Sequence, residues 1–163
     1  FRQNFDSNKP HMTIDVPNCV KTLAFHPSDP SILASGSING EIYVWNTNFD
    51  ETKAETDKNS KALEVEADEY FHREPIQELL WVSLPVESSQ RSEREYVLLS
   101  LSTDGKILLW NSPAVQLRYP IKGHLLIEPQ QGIRGGTSMA QAGTVKSEYE
   151  DIRILVGAEA GQV

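Results

Sequence analysis

The sequence predicts an all-β protein built from repeated units of four short antiparallel strands. Three observations predict it. Residues 32–46 read ILASGSINGEIYVWN and residues 97–111 read VLLSLSTDGKILLWN, so two hairpins share one design. In each, two apolar runs meet at Asn39-Gly40 or Asp104-Gly105, residue pairs that tolerate positive φ and favour a tight hairpin. Trp45 stands as far beyond Asn39 as Trp110 does beyond Asp104. Polar inserts separate the units, and no stretch carries a clear helical period. Such a repeat describes stacked sheets, each needing its neighbours to cover its faces.

Taken in order, residues 1–10 are polar and give no clear element. Residues 11–16 are expected to form a short strand, ended by Pro17-Asn18. Val20–Phe25 reads as a strand, and His26-Pro27-Ser28-Asp29-Pro30 as a turn. With the first hairpin these make one unit over 11–46. Residues 47–62 are polar and without period, expected to be a long exposed loop, with a short helix over 51–58 as the alternative. Residues 63–65 could supply a brief strand. Residues 76–82 align with Val20–Phe25, Ile76 on Val20 and Trp81 on Phe25. After a polar insert at 85–95, the second hairpin completes a unit over 63–111. A partial third unit spans 117–163. It holds apolar patches at 119–121 and 125–127, a first strand at 137–140, a polar insert at 143–151, and a strand and turn at 152–161.

The 163 residues fit one ordinary domain, with 39% hydrophobic content for a core. A net charge of −8 argues against nucleic acid or an anionic membrane as main partner. Cys19 is the only cysteine and no Asn-x-Ser/Thr sequon occurs, which points to a reducing compartment. No leader-like segment opens the given sequence, and no apolar run is long enough to cross a bilayer. The sequence starts abruptly at Phe1 and stops mid-pattern at Gly161-Gln162-Val163, as a piece of something longer would.

Ser35-Gly36-Ser37-Ile38-Asn39-Gly40 with Val44-Trp45-Asn46, and the stretch from Ser100 to Asn111, resemble the WD40 repeat. The resemblance implies a β-propeller, of which two blades and part of a third are present. It also implies a structural network in the second blade made of His72, Ser100, Asp104 and Trp110. Carboxylate, imidazole, hydroxyl and indole N–H are suited to such a chain of donors and acceptors. The first-blade equivalents are Ser35, Asn39 and Trp45. Val16 stands where the histidine would be, so that network should be missing or reduced. In the third blade Ala160 takes the aspartate position.

Val20 to Pro27, His72-Arg73-Glu74-Pro75-Ile76, Ser102 to Trp110 and Gly136-Thr137-Ser138-Met139-Ala140 further resemble dynein intermediate chains, most of all that of dynein-2 in intraflagellar transport. This implies a non-catalytic scaffold subunit that binds the dynein heavy chain. A second intermediate chain and dynein light chains are the other implied partners. No cofactor, nucleic acid or membrane insertion is implied. The implied location is cytoplasm and cytoskeleton, including the axoneme and basal body of a cilium or flagellum. The alternatives are a cytoplasmic or axonemal dynein intermediate chain, or another WD40 adaptor such as a ubiquitin-ligase substrate receptor. An enzyme or small-ligand binder on a propeller is the other class.

Residues suited to chemistry are few. His11, His26, His72 and His124 are scattered, without ligand spacing. Glu69-x-x-His72 is half of a di-iron-like pattern lacking its mate. Gly132-Ile133-Arg134-Gly135-Gly136-Thr137-Ser138 is glycine-rich but lacks a phosphate-loop lysine, so a turn is expected. Cys19 is expected to be a packed thiol, and Trp45, Trp81 and Trp110 core residues. The acidic run over 64–69 reads as a solvated loop. Alternating connections put Asn39-Gly40, Asp104-Gly105 and His72 at one end of the blades and the long inserts at the other.

Overall fold

The computed structural model describes residues 13–47, 71–85, 94–110, 120–127, 135–145 and 151–159. Within them lie nine strands and no helix: β1 (Val20–Phe25), β2 (Ile32–Ser37), β3 (Ile42–Asn46), β4 (Ile76–Pro85), β5 (Arg94–Ser102), β6 (Lys106–Trp110), β7 (Pro120–Leu126), β8 (Gly136–Val145) and β9 (Asp151–Ala158). They form three antiparallel sheets, β1-β2-β3, β4-β5-β6-β7 and β8-β9. The first strands of successive sheets adjoin, β4 packing against both β1 and β8. This is a partial β-propeller, with first strands at the inner edge.

Side-chain alternation explains why the apolar run of β5 is continuous. Leu98 faces a core shared with the first sheet, including Ile32, Ala34 and Ile42. Val97, Leu99 and Leu101 face a second core that includes Met139 of the third sheet. A strand buried on both faces has no polar side to show in its sequence. Each core belongs to two sheets, so no sheet is stable alone.

Two backbone features recur in all three units. The pairing register slips between Val20 and Thr22, Ile76 and Glu78, and Gly136 and Ser138. A backbone hydrogen bond then closes each unit at the same place: Ile38 N to Cys19 O at 3.0 Å, Thr103 N to Pro75 O at 3.2 Å, and Glu159 N to Gly135 O at 2.9 Å. These equivalences place the third unit in the same repeat despite its weak sequence match.

Several expectations change. In the second sheet a fourth strand follows the Trp-bearing strand. Residues 119–121 and 125–127 were expected in the third unit, yet β7 pairs with β6, Ile107 opposite Leu125 and Lys106 opposite Leu126. The second sheet therefore runs past 111 to Leu126. Residues 13–16, expected within a strand, form none, because pairing starts only after the Pro17-Asn18 bend. Strands also reach into the polar inserts, Pro85 opposite Arg94 and Val145 opposite Asp151, since ladder bonds join backbones whatever the side chains. The expected loop or helix at 48–62, the strand at 63–65 and the acidic run at 64–69 lie outside the described residues.

Candidate functional site

The Asp104-Gly105 turn is tight because Gly105 sits at φ 77°, and Ser102 Oγ accepts the Asp104 amide at 3.2 Å. That turn aims the Asp104 carboxylate at the segment preceding β4. There it accepts the Arg73 amide at 3.3 Å, while its own strand supplies the Lys106 amide at 3.0 Å. His72 completes the connection. Its Nδ1 is 3.2 Å from Asp104 Oδ1, and its Nε2 is 2.7 Å from Ser100 Oγ. Trp110 Nε1 donates to the same Oγ at 2.8 Å.

The partners set the proton order. A carboxylate only accepts and an indole N–H only donates. In a neutral ring Nδ1–H donates to Asp104, the Ser100 hydroxyl donates to Nε2, and Trp110 donates to Ser100. The structure thus brings His72, Ser100, Asp104 and Trp110 into one directed chain. Burial pushes the Asp104 carboxyl up, but the bond from His72 and the Lys106 and Arg73 amides hold it below the ordinary value of 3.8.

Ser100, His72 and Asp104 share the connectivity of a hydrolytic triad. Their setting is different. Ser100 is fully buried, and its oxygen already receives the indole N–H. No substrate carbon can approach that hydroxyl, so the arrangement can hold two sheet elements together but cannot attack.

The first sheet lacks this chain. Ser35 Oγ is buried without a hydrogen-bond partner among the described residues. Asn39 accepts from Ser37 Oγ within its own turn. Trp45 stacks on Tyr43 with ring centroids 5.9 Å apart. A group of residues that the sequence did not single out lies here. Tyr43 OH donates to Glu41 Oε2, and Asn18 Nδ2 donates to the same oxygen at 2.8 Å. The Tyr43 bond, then Asn39 and Asn18, outweigh burial and hold the Glu41 carboxyl below its ordinary value. Tyr43 occupies the place of Leu108; a tyrosine there, beside a missing histidine, is the signal that could have pointed to a substitute network.

The remaining candidates do not converge. Cys19, expected to be packed, is exposed, because that position is used through its backbone carbonyl. Gly135 and Gly136 lead directly into β8, and residues 132–134 lie outside the described set. Glu69 also lies outside it. Among the described residues no group of three or more His, Cys, Asp or Glu could hold a metal, and no helix is long and apolar enough to cross a membrane. Trp45, Trp81 and Trp110 are buried.

Replacing His72 with alanine should destabilise the protein by about 1–3 kcal/mol, since Ser100 and Asp104 would keep their burial and lose a partner. Val16→Ala, at the position matching His72, should cost less. The Asp104 contribution should be complete above its unfolded value of 3.8 and be lost as pH falls through its lower folded value. Urea unfolding of wild type, His72→Ala, Val16→Ala and Asp104→Asn across acid pH checks both. Equal costs at Val16 and His72, or an unchanged acid profile in Asp104→Asn, would refute the expectation.

Comparison with known proteins agrees with this architecture. Residues 2–79 match the domain family described as Dynein axonemal intermediate chain 3 WD40 domain. Over 98% of its length the chain is 30% identical to Cytoplasmic dynein 2 intermediate chain 2 of Mus musculus, covering 29% of that protein. The Homo sapiens protein of the same name is 27% identical over 98% of the chain, again with 29% of its length covered. Dynein intermediate chain 3, ciliary, of Heliocidaris crassispina is 27% identical over 96% of the chain, with 23% covered. The chain therefore spans less than a third of the length of these relatives. The chain is thus similar to WD40-repeat dynein intermediate chains, those of dynein-2 among them.

Proposed function

We propose that this chain is part of a non-catalytic propeller that holds a dynein motor together by binding its heavy chain, in retrograde intraflagellar transport. The observation that carries the reading is similarity to dynein-2 intermediate chains along 98% of the chain. The buried Ser100–His72–Asp104 chain supports a holding role over a hydrolytic one. A second intermediate chain and light chains are the further partners, and cytoplasm, cytoskeleton and the cilium, including its axoneme and basal body, are the locations. Similarity to the ciliary chain of Heliocidaris crassispina and to Dynein axonemal intermediate chain 2 of Homo sapiens favours an axonemal dynein as the second reading.

Affinity capture of the tagged full-length protein from ciliated cells tests this. A dynein-2 heavy chain among the captured proteins is the expected result. Capture of axonemal heavy chains alone would select the second reading, and absence of any heavy chain would overturn both. Deleting residues 51–61, and separately shortening 85–95, asks which end of the propeller is used. Loss of capture with either change assigns contact to the insert-bearing end. Retained capture, with loss on changes beside His72 and Asp104 that leave the fold intact, assigns it to the tight-turn end.

A further inference from the structure

The joint between the first two sheets holds a histidine that the tight-turn network does not use. His26 follows β1 directly. Its Nδ1 accepts the Asp29 amide at 3.0 Å and the Ser28 amide at 3.3 Å. That nitrogen therefore carries a lone pair, and the neutral ring bears its proton on Nε2. The ring meets Trp81 of β4 edge-on, centroids 4.7 Å apart, and Tyr96 of β5 at 5.0 Å. Beside it, Trp81 Nε1 donates to Ala24 O at 3.2 Å, crossing between sheets to a carbonyl at the edge of β1. One imidazole thus closes its own turn from within and wedges that turn against two aromatic side chains of the next sheet.

We infer that His26 is a pH-sensitive pin of this joint, holding the first sheet against Trp81 and Tyr96 while its ring is neutral and releasing it on protonation. A proton on Nδ1 turns the acceptor into a donor. Two backbone N–H groups then face it at hydrogen-bond distance and repel it; the Ser28 hydroxyl, 3.3 Å away, can still accept, but both amides lose their acceptor, so the ring is pushed off the turn. Its edge contacts with Trp81 and Tyr96 leave with it. Among the described side chains, the titratable groups near the ring are Asp29 on its own turn and the Tyr96 phenol on β5; β4 brings the Trp81 indole. Burial lowers the His26 pKa below 6.5, and the Asp29 charge opposes this only in part. Bonds from Ser31 hold the Asp29 carboxyl below 3.8, so it stays charged while the imidazole titrates. The folded value lies under the unfolded one. The stability His26 adds is therefore full above 6.5, falls as pH drops below it, and levels off beneath the folded value.

Hydrogen exchange on the full-length protein, corrected for intrinsic rates, reads this directly. Between about pH 7.5 and 5, the opening equilibrium of amides 22–32 should rise by up to about tenfold per pH unit, while amides in β5 and β6 hold steady. His26→Asn places a non-titrating acceptor near the Nδ1 position and should flatten the profile. NMR titration of the His26 ring should give a midpoint below 6.5. A flat wild-type profile, a profile that persists in His26→Asn, or a midpoint above 6.5 would overturn the inference.

Discussion

Trp110→Ala is expected to cost about 3–5 kcal/mol, the largest loss of any single change considered for this chain. The indole lies in the core shared by the first two sheets, beside Leu98 and Leu108, and is 2% exposed. Alanine would leave a cavity there and also remove the only indole donor to Ser100 Oγ. A phenylalanine series separates the two losses. Trp110→Phe keeps most of the apolar contact but orphans the hydroxyl acceptor, whereas Ser35 in the first sheet has no such bond to lose. Trp110→Phe should therefore be worse than Trp45→Phe by about 1 kcal/mol. Urea midpoints of the four tryptophan variants at Trp45 and Trp110 test this. Indistinguishable phenylalanine variants would mean that the network contributes nothing beyond packing.

Gly40→Ala should be the next most damaging, at about 2–4 kcal/mol from backbone strain and overlap together. Gly40 sits at φ 87°, where a Cβ is unfavourable. An added Cβ would also lie 2.5 Å from the His72 carbonyl oxygen and 3.2 Å from that of Glu74. Those are backbone atoms of the segment leading into β4, so no rotamer change relieves the contact. The first hairpin turn is thus packed under the segment that carries the tight-turn histidine, and the change should weaken the second sheet too. Hydrogen exchange should show lost protection at 72–76 as well as at 37–43. Loss confined to the hairpin would show that the two units are not coupled there.

The hairpins were legible because they are local. Asn39-Gly40 and Asp104-Gly105 carry their backbone requirement in their own side chains, and the apolar runs beside them need no distant partner to be recognised. The four residues of the tight-turn chain were legible through resemblance: His72, Ser100, Asp104 and Trp110 stand at the positions that the likeness to WD40 repeats implies. Ser102, which bonds the Glu74 carbonyl and the Asp104 amide, was not singled out, since a serine in a strand resembles any other.

The fourth strand shows what sequence order conceals. Pro120–Leu126 is mixed in polarity and irregular, and it stands equally close to the strand before it and the one after. Only backbone pairing along Lys106–Trp110 assigns it to the second sheet. The exposure of Cys19, the wedge formed by His26, and the Tyr43–Glu41–Asn18 network belong to the same class. Each depends on residues far apart in the chain meeting in space, or on a backbone role that no side chain announces. The sequence by itself determined the strand class, the repeat and the turn geometry, because period and turn chemistry are properties of neighbouring residues. The tertiary structure alone decided which strands share a sheet and which polar groups are satisfied, because hydrogen bonds across a propeller joint depend on distance in space and not along the chain.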